Sequence, residues 1–313
     1  MRTNKKYSIN EALAILSQHL ISRFSLWYFK NISSAKITLI RKQGIGDAIF
    51  ATGVLNQFSK AYPKTDIQLI ANVPEVFSIK SKSSFSLADF PLVWMMYEHY
   101  DFSFLRKKDQ HITRIIASLL GLETNLDFSY PLPENIRLKG SAIEEYIANK
   151  NYIVIQPWSG GWNSMRNWSK EKWEELVALL QAEGQLIYQI GSIAETHING
   201  TIDLRGKSTI EESFLLIQHA SLFVGVNSFG EQAAACYNVP SVILYGATHP
   251  VYSLNKNQTA VFANGSATFD QVESLSYQFQ DTSLITVASV FDLVNAVLND
   301  SRIDAKLSKP DEI

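Results

Sequence analysis

The chain has 313 residues, 46% of them hydrophobic and 19% charged, a globular mixture that excludes an intrinsically disordered chain and is long enough for two domains. The one cysteine, Cys236, excludes an internal disulfide and fits a reducing compartment, and the scattered histidines offer no cluster with zinc spacing. The net charge of −2 hides an asymmetry: residues 1–42 hold eight of the 28 bases and one of the 30 acids, which argues against general nucleic-acid binding and suits contact with an anionic surface or substrate.

Residues 8–30 read as a helix. Ser8 is placed to cap it, with Glu11 three residues later as in a capping box. Ile9, Leu13, Leu16, Leu20, Phe24 and Trp27 recur every three or four residues, which defines one helical face. Two readings stay open for this helix: it packs on the body of the protein, or it rests on a membrane surface. No stretch reaches the roughly 18–20 apolar residues of a membrane span, and polar residues interrupt any signal-peptide pattern. The chain is therefore expected to begin near Met1 and to stay in the cytoplasm.

The run Ile37–Ile40 predicts a strand, followed by Gly44-Ile45-Gly46-Asp47, a helix over Ala48–Tyr62 and a second strand over Ile67–Ala71. This order is a βαβ unit with a parallel sheet. Residues 78–110 give no regular pattern, and His111–Leu120 is again helical. After the prolines and glycine of 129–140, a second α/β series begins at Tyr152. It continues through a helix at 170–183, a strand at Gln185–Ile190 and a helix at 209–219. A strand at Leu222–Val226, a helix at 229–237 and a strand at Ser241–Tyr245 complete it. Two blocks of alternating strands and helices imply two doubly wound domains.

Three strand-to-helix turns are candidate binding segments. At the first, Gly46 permits close backbone approach to a ligand, and Asp47 is either a helix N-cap or a general base. The position of the third glycine of a dinucleotide fingerprint is Ile49, which disfavours a Rossmann dehydrogenase. The second is the polar loop Gln156–Trp168, in which Ser159 and Arg166 suit phosphate oxygens. The third is Gly225-Val226-Asn227-Ser228-Phe229-Gly230-Glu231-Gln232, whose helix start is either an anion site by geometry or a helix capped by Asn227 or Ser228.

Taken in order, these segments resemble glycosyltransferase family 9, the ADP-heptose heptosyltransferases. The resemblance rests on Ile45-Gly46-Asp47 through Ala61-Tyr62-Pro63, on Tyr152–Trp168, on Asp203-Leu204-Arg205-Gly206-Lys207-Ser208-Thr209, and on Val224–Pro250. It covers about 36–265. It implies an α/β chain of GT-B architecture, with two Rossmann-like domains facing across a cleft. The expected layout is an amphipathic helix over 1–35, an acceptor domain over 36–148, a nucleotide-sugar domain over 149–298 and a fraying polar tail over 299–313.

The same resemblance implies an inverting transferase. Asp47 is its general base, Arg166 neutralises the donor phosphates, and Ser228 with the helix beginning near Phe229 cradles the diphosphate. Glu195 matches an acid that holds the donor ribose. The basic set Arg106, Lys107, His111 and Arg114 suits a lipid-linked glycan acceptor. No cofactor is expected beyond the nucleoside-diphosphate sugar as substrate, with ADP-heptose the leading choice. No carboxylate pair of the DxD kind stands out, so no essential Mg²⁺ is expected. Expected contacts are the donor, the acceptor and, through residues 8–30, the cytoplasmic face of the inner membrane, with no nucleic acid. Asn227, Phe229 and Gln232 depart from the family's Asp, Gly and His. That leaves as alternatives a transferase with another donor, such as a UDP-sugar, a sugar-nucleotide epimerase, and a catalytically silent partner in envelope assembly.

Overall fold

The computed structural model describes residues 8–42, 44–73, 76–77, 81–82, 84–95, 110–123, 143–148, 151–160, 164–277 and 280–307. The chain divides into two compact units, Met1–Glu134 and Asn135–Ile313.

The first unit opens with α1, Ile9–Asn31. Ser8 and Glu11 form the expected capping box, each side chain taking the other residue's backbone N–H. β1 (Lys36–Arg41), α2 (Ile45–Ala61), β2 (Asp66–Ala71), β3 (Ser81–Lys82) and β4 (Leu92–Trp94) follow. The four strands pair in parallel in the order β3-β2-β1-β4. β1 is buried almost throughout, which matches an apolar strand covered on both faces. α3, Ile112–Leu119, packs on α2 and is capped by His111.

α1 lies along the free edge of β4. The backbone N–H groups of Leu92 and Trp94 donate to the hydroxyls of Ser25 and Ser22 at 3.1 and 3.0 Å. A sheet edge that would present unpaired N–H groups is thereby closed by a helix. The face of α1 that packs inward is thus Ser22, Ser25, Leu26 and Phe29. The apolar stripe Ile9, Leu13, Leu16, Leu20, Phe24 and Trp27 is exposed along its length, so α1 packs on the body of the protein, but through the face opposite that stripe.

The second unit contains α4 (Glu144–Ile147), β5 (Tyr152–Gln156), α5 (Lys170–Ala182), β6 (Leu186–Gln189) and β7 (Ile202–Asp203). It continues with α6 (Ile210–Gln218), β8 (Leu222–Val226), α7 (Phe229–Cys236) and β9 (Ser241–Leu244). β10 (Gln258–Phe262), β11 (Gly265–Thr268) and α8 (Val287–Leu307) end it. The sheet order is β11-β10-β9-β8-β5-β6-β7, parallel except for the β10–β11 hairpin. Trp168 and Trp173 meet edge to face at 5.3 Å inside its core, and the Trp168 indole donates to the Ile285 carbonyl at 3.0 Å.

α8 corrects one expectation. It reaches Leu307, so residues 299–307 of the segment expected to fray lie in a helix, while 308–313 lie outside the described residues. Arg302, Ala305, Lys306 and Leu307 are good helix formers. Among the described residues no helix is long and apolar enough to cross a membrane.

Candidate active site

In open parallel sheets, ligands bind beyond the strand C-termini where the strand order reverses. The first sheet reverses between β1 and β4, and the second between β5 and β8. Each reversal carries one group of the candidate residues.

At the first, Gly44 caps α2 and Asp47 lies in the first turn. Asp47 is therefore not the N-cap. Its carboxylate pairs with the Arg41 guanidinium at 3.3 Å (Nη2 to Oδ1), while Arg41 Nε donates to the Asp47 carbonyl at 3.3 Å. Arg41 Nη1 donates to the carbonyl of Met95, just past β4. Arg41 is fully buried, whereas the Asp47 side chain keeps 29% of its surface exposed. A buried guanidinium must be partnered. Here the partners tie the ends of β1 and β4 to the first turn of α2. The result is an oriented carboxylate at an accessible strand end, which is the geometry a proton acceptor needs. Gly46 sits beside it in the same turn.

His111 is engaged locally: Nδ1 accepts from the Thr113 N–H at 3.4 Å and lies 2.8 Å from its hydroxyl, and the ring stands edge-on to Phe50. Its observed role is to start α3, and Arg114 follows in the same helix. Arg106 and Lys107 lie outside the described residues.

At the second reversal the residues interlock more closely. Arg166, in the 3-10 turn Ser164–Arg166, donates from Nη1 to the Asn227 carbonyl at 3.1 Å and from Nη2 to the Thr248 hydroxyl at 2.9 Å. Its guanidinium is thus fixed across the ends of β8 and β9, next to the N-terminus of α7. Gln156, the last residue of β5, accepts the Ser228 hydroxyl at 2.7 Å and the Gly230 N–H at 3.0 Å through one oxygen. A Cβ on Gly230 would lie 2.5 Å from that oxygen. This contact is why a glycine fits the first turn of α7. Phe229 is half-buried, with its ring 6.5 Å from Phe214. Ser159 is held by Asn167, whose side-chain oxygen accepts its N–H and hydroxyl at 3.0 and 3.1 Å.

Asn227 turns its amide inward. Nδ2 donates to Glu231 at 2.5 Å and to the Ser253 hydroxyl at 2.9 Å. Glu231 is fully buried and also accepts the Tyr245 hydroxyl. Burial pushes its carboxyl up to about 7, against the hydrogen bonds of Tyr245, Asn227 and Ser253 and the nearby charge of Arg166.

Glu195 follows β6. Its carboxylate lies over Gly191, where a Cβ would approach Oε2 to 2.1 Å, and Gly191 has φ of 142°. Among the described residues Oε2 is buried without a hydrogen-bond partner, and burial raises the carboxyl. Arg205 anchors this turn by donating to the Glu195 carbonyl. Arg205 also forks onto Asp203 at 2.8 and 2.9 Å, and these hydrogen bonds lower the Asp203 carboxyl to about 2.

Sequence reading assigned no role to Arg41, Gln156, Glu231 or Thr248, although Gln156 and Glu231 lie within two of the candidate segments. Arg41 and Gln156 did leave a signal, each being the polar residue that ends an otherwise apolar strand. Glu231 left none, because α7 is buried on nearly every side and periodicity does not distinguish its faces. Among the described residues no group of three His, Cys, Asp or Glu is placed to hold a metal ion.

The sequence profile of glycosyltransferase family 9 (heptosyltransferase) matches residues 102–278. The chain is 24% identical over 282 residues to lipopolysaccharide heptosyltransferase 3 of Escherichia coli, covering 66% of this chain and 82% of that protein. In fold it is similar to a family 9 glycosyltransferase of Veillonella parvula DSM 2008, with TM-score 0.65 and 14% identity over 85% of this chain and 98% of the other. It is also similar to the E. coli ADP-heptose LPS heptosyltransferase II, with TM-score 0.61 and 16% identity over 85% and 99%. Both neighbours share the parallel α/β architecture, which is that of GT-B glycosyltransferases. Because the profile spans more than half of the 313 residues, the chain belongs to glycosyltransferase family 9 and is a glycosyltransferase.

Proposed function

We propose that this enzyme transfers a heptose from ADP-heptose to a lipid-linked glycan of the lipopolysaccharide core, with inversion at the anomeric carbon. One observation carries the donor half of this reading. Arg166 is fixed across the Asn227 carbonyl and the Thr248 hydroxyl beside the N-terminus of α7. A guanidinium and a helix N-terminus at a sheet reversal suit a diphosphate. Glu195, with its unpartnered buried oxygen, suits the hydroxyls of the donor ribose. The names of the relatives point to the same donor and acceptor classes.

In the proposed step, the acceptor hydroxyl gives its proton to the Asp47 carboxylate as its oxygen bonds the anomeric carbon. The bond from that carbon to the diphosphate oxygen breaks, and the electron pair leaves with the nucleoside diphosphate. Arg41 holds Asp47 in one orientation for this transfer. Arg166, Ser228 and the start of α7 stabilise the charge growing on the leaving group. The step needs no metal, because the guanidinium and the helix N-terminus supply positive potential where the diphosphate departs. Arg106, Lys107, His111 and Arg114 are proposed to serve the acceptor.

A second reading has its own observation. Gln156 already takes the Ser228 hydroxyl and the Gly230 N–H, two groups that would otherwise face a diphosphate. A silent binding partner would keep that arrangement, whereas a donor-binding enzyme must exchange it.

A thermal-shift screen against ADP, UDP, GDP, CMP and their sugars separates these readings. A ligand at 100 times its dissociation constant stabilises by about 2.7 kcal/mol. A shift with ADP and ADP-heptose, with turnover on a core acceptor, supports the proposal. A shift with another nucleotide alone replaces the donor, and no shift with any favours the silent partner.

A further inference from the structure

We infer that the outward face of α1 docks on the surface of an anionic lipid bilayer. The inference starts from an inversion. The side of α1 that meets the protein offers Ser22 and Ser25 to the edge of β4, while Ile9, Leu13, Leu16, Leu20, Phe24 and Trp27 point away from it. Ile9 is 81% exposed, Leu20 60% and Trp27 53%. Scattered exposed apolar residues are ordinary, but a row of six at helical spacing is a continuous patch.

The patch widens at the C-terminal end of the helix. Phe24 stacks on Trp27 at 5.8 Å and meets Phe90 at 6.1 Å, and Tyr28 stands edge-on to Phe90 at 5.2 Å. Phe90 is itself exposed, and it lies in the loop before β4 rather than on the helix. Clustered aromatic rings at the end of an apolar helical face suit the headgroup level of a bilayer.

Charge selects the occupant. Residues 1–35 carry five bases, Arg2, Lys5, Lys6, Arg23 and Lys30, against one acid, Glu11, and Arg23 and Lys30 are exposed on α1. An anionic lipid surface attracts such a segment. A second copy of the chain would bring two equally basic ends together, which like-charge repulsion opposes. The inference stands apart from the transfer reaction, and its test needs no turnover, so failure of either leaves the other standing.

The test is co-sedimentation of the full chain with phosphatidylcholine vesicles and with vesicles of roughly 70:30 phosphatidylcholine to phosphatidylglycerol. The wild type is expected to sediment with the anionic vesicles, less with the neutral ones, and less again in high salt. Leu20→Glu combined with Phe24→Glu is expected to weaken binding by at least about tenfold. Its melting temperature should stay that of the wild type, since neither side chain is packed in the core. Wild type that stays in the supernatant at both compositions overturns the inference, as does a double variant that sediments like wild type. A lipid-free dimer that the double variant abolishes also overturns it and gives the stripe to a second copy.

Discussion

Glu231→Gln tests whether the carboxyl beneath the Asn227–Gly230 turn is held neutral by burial. Its folded value is raised to about 7 from an ordinary 4.5. For a raised carboxyl, stability is fully present below the unfolded value and is lost as pH rises through the folded one. The span of about 2.5 units corresponds to about 3 kcal/mol lost between pH 4.5 and the alkaline side of 7. Glutamine can take over the network without a clash. Its oxygen accepts from Asn227 Nδ2, and its amide donates to the Tyr245 oxygen, whose proton turns to Ser253 at 2.8 Å. Denaturant unfolding of both proteins at pH 5, 6, 7 and 8 isolates the effect, because every other titrating group is common to the pair. The variant should match wild type near pH 5 and exceed it by about 3 kcal/mol at pH 8. For a unit of this size that is roughly 2–4 °C in melting temperature per kcal/mol. A wild type–variant difference that stays flat from pH 5 to 8 would refute the reasoning, since Glu231 would then ionise alike in both states.

If Asp47 takes the acceptor proton as proposed, Asp47→Asn should lower kcat by roughly 10²–10⁴-fold while leaving the nucleotide-induced thermal shift intact. Unchanged turnover would remove Asp47 from the mechanism. Arg166→Ala should weaken ADP by roughly 10–100-fold in a calorimetric titration, the scale of a lost charged hydrogen bond of about 1.5–3 kcal/mol. An ADP affinity equal to wild type would place the diphosphate elsewhere. Arg41→Ala should destabilise the protein by roughly 3 kcal/mol in chemical denaturation, since it empties a fully buried site and removes a donor from Asp47 and from the Met95 carbonyl. Arg41→Lys, which keeps the charge, should recover part of that stability and separate orientation of Asp47 from burial of the arginine.

Local sequence determined most of the elements of this protein. Ser8 with Glu11 and Thr209 with Glu212 mark two helix starts, because a capping box is a contact between residues three apart and needs nothing distant. The runs at 37–40, 152–155 and 222–226 mark strands, because a strand covered on both faces must be apolar throughout. The turns carrying Asp47 and Ser228 were legible for the same reason: each follows such a strand and precedes a helix.

Only the tertiary structure decided which polar residues those turns recruit. Arg41 meets Met95 because β1 pairs with β4, and Gln156 meets Ser228 because β5 pairs with β8. Strand order is a long-range choice that no local pattern encodes. The direction of α1 was decided in the same way. Periodicity places Leu13, Leu16 and Leu20 on one face but cannot say whether that face points in or out. The edge of β4 needed acceptors for the N–H groups of Leu92 and Trp94, Ser25 and Ser22 supplied them, and the apolar face was left outward.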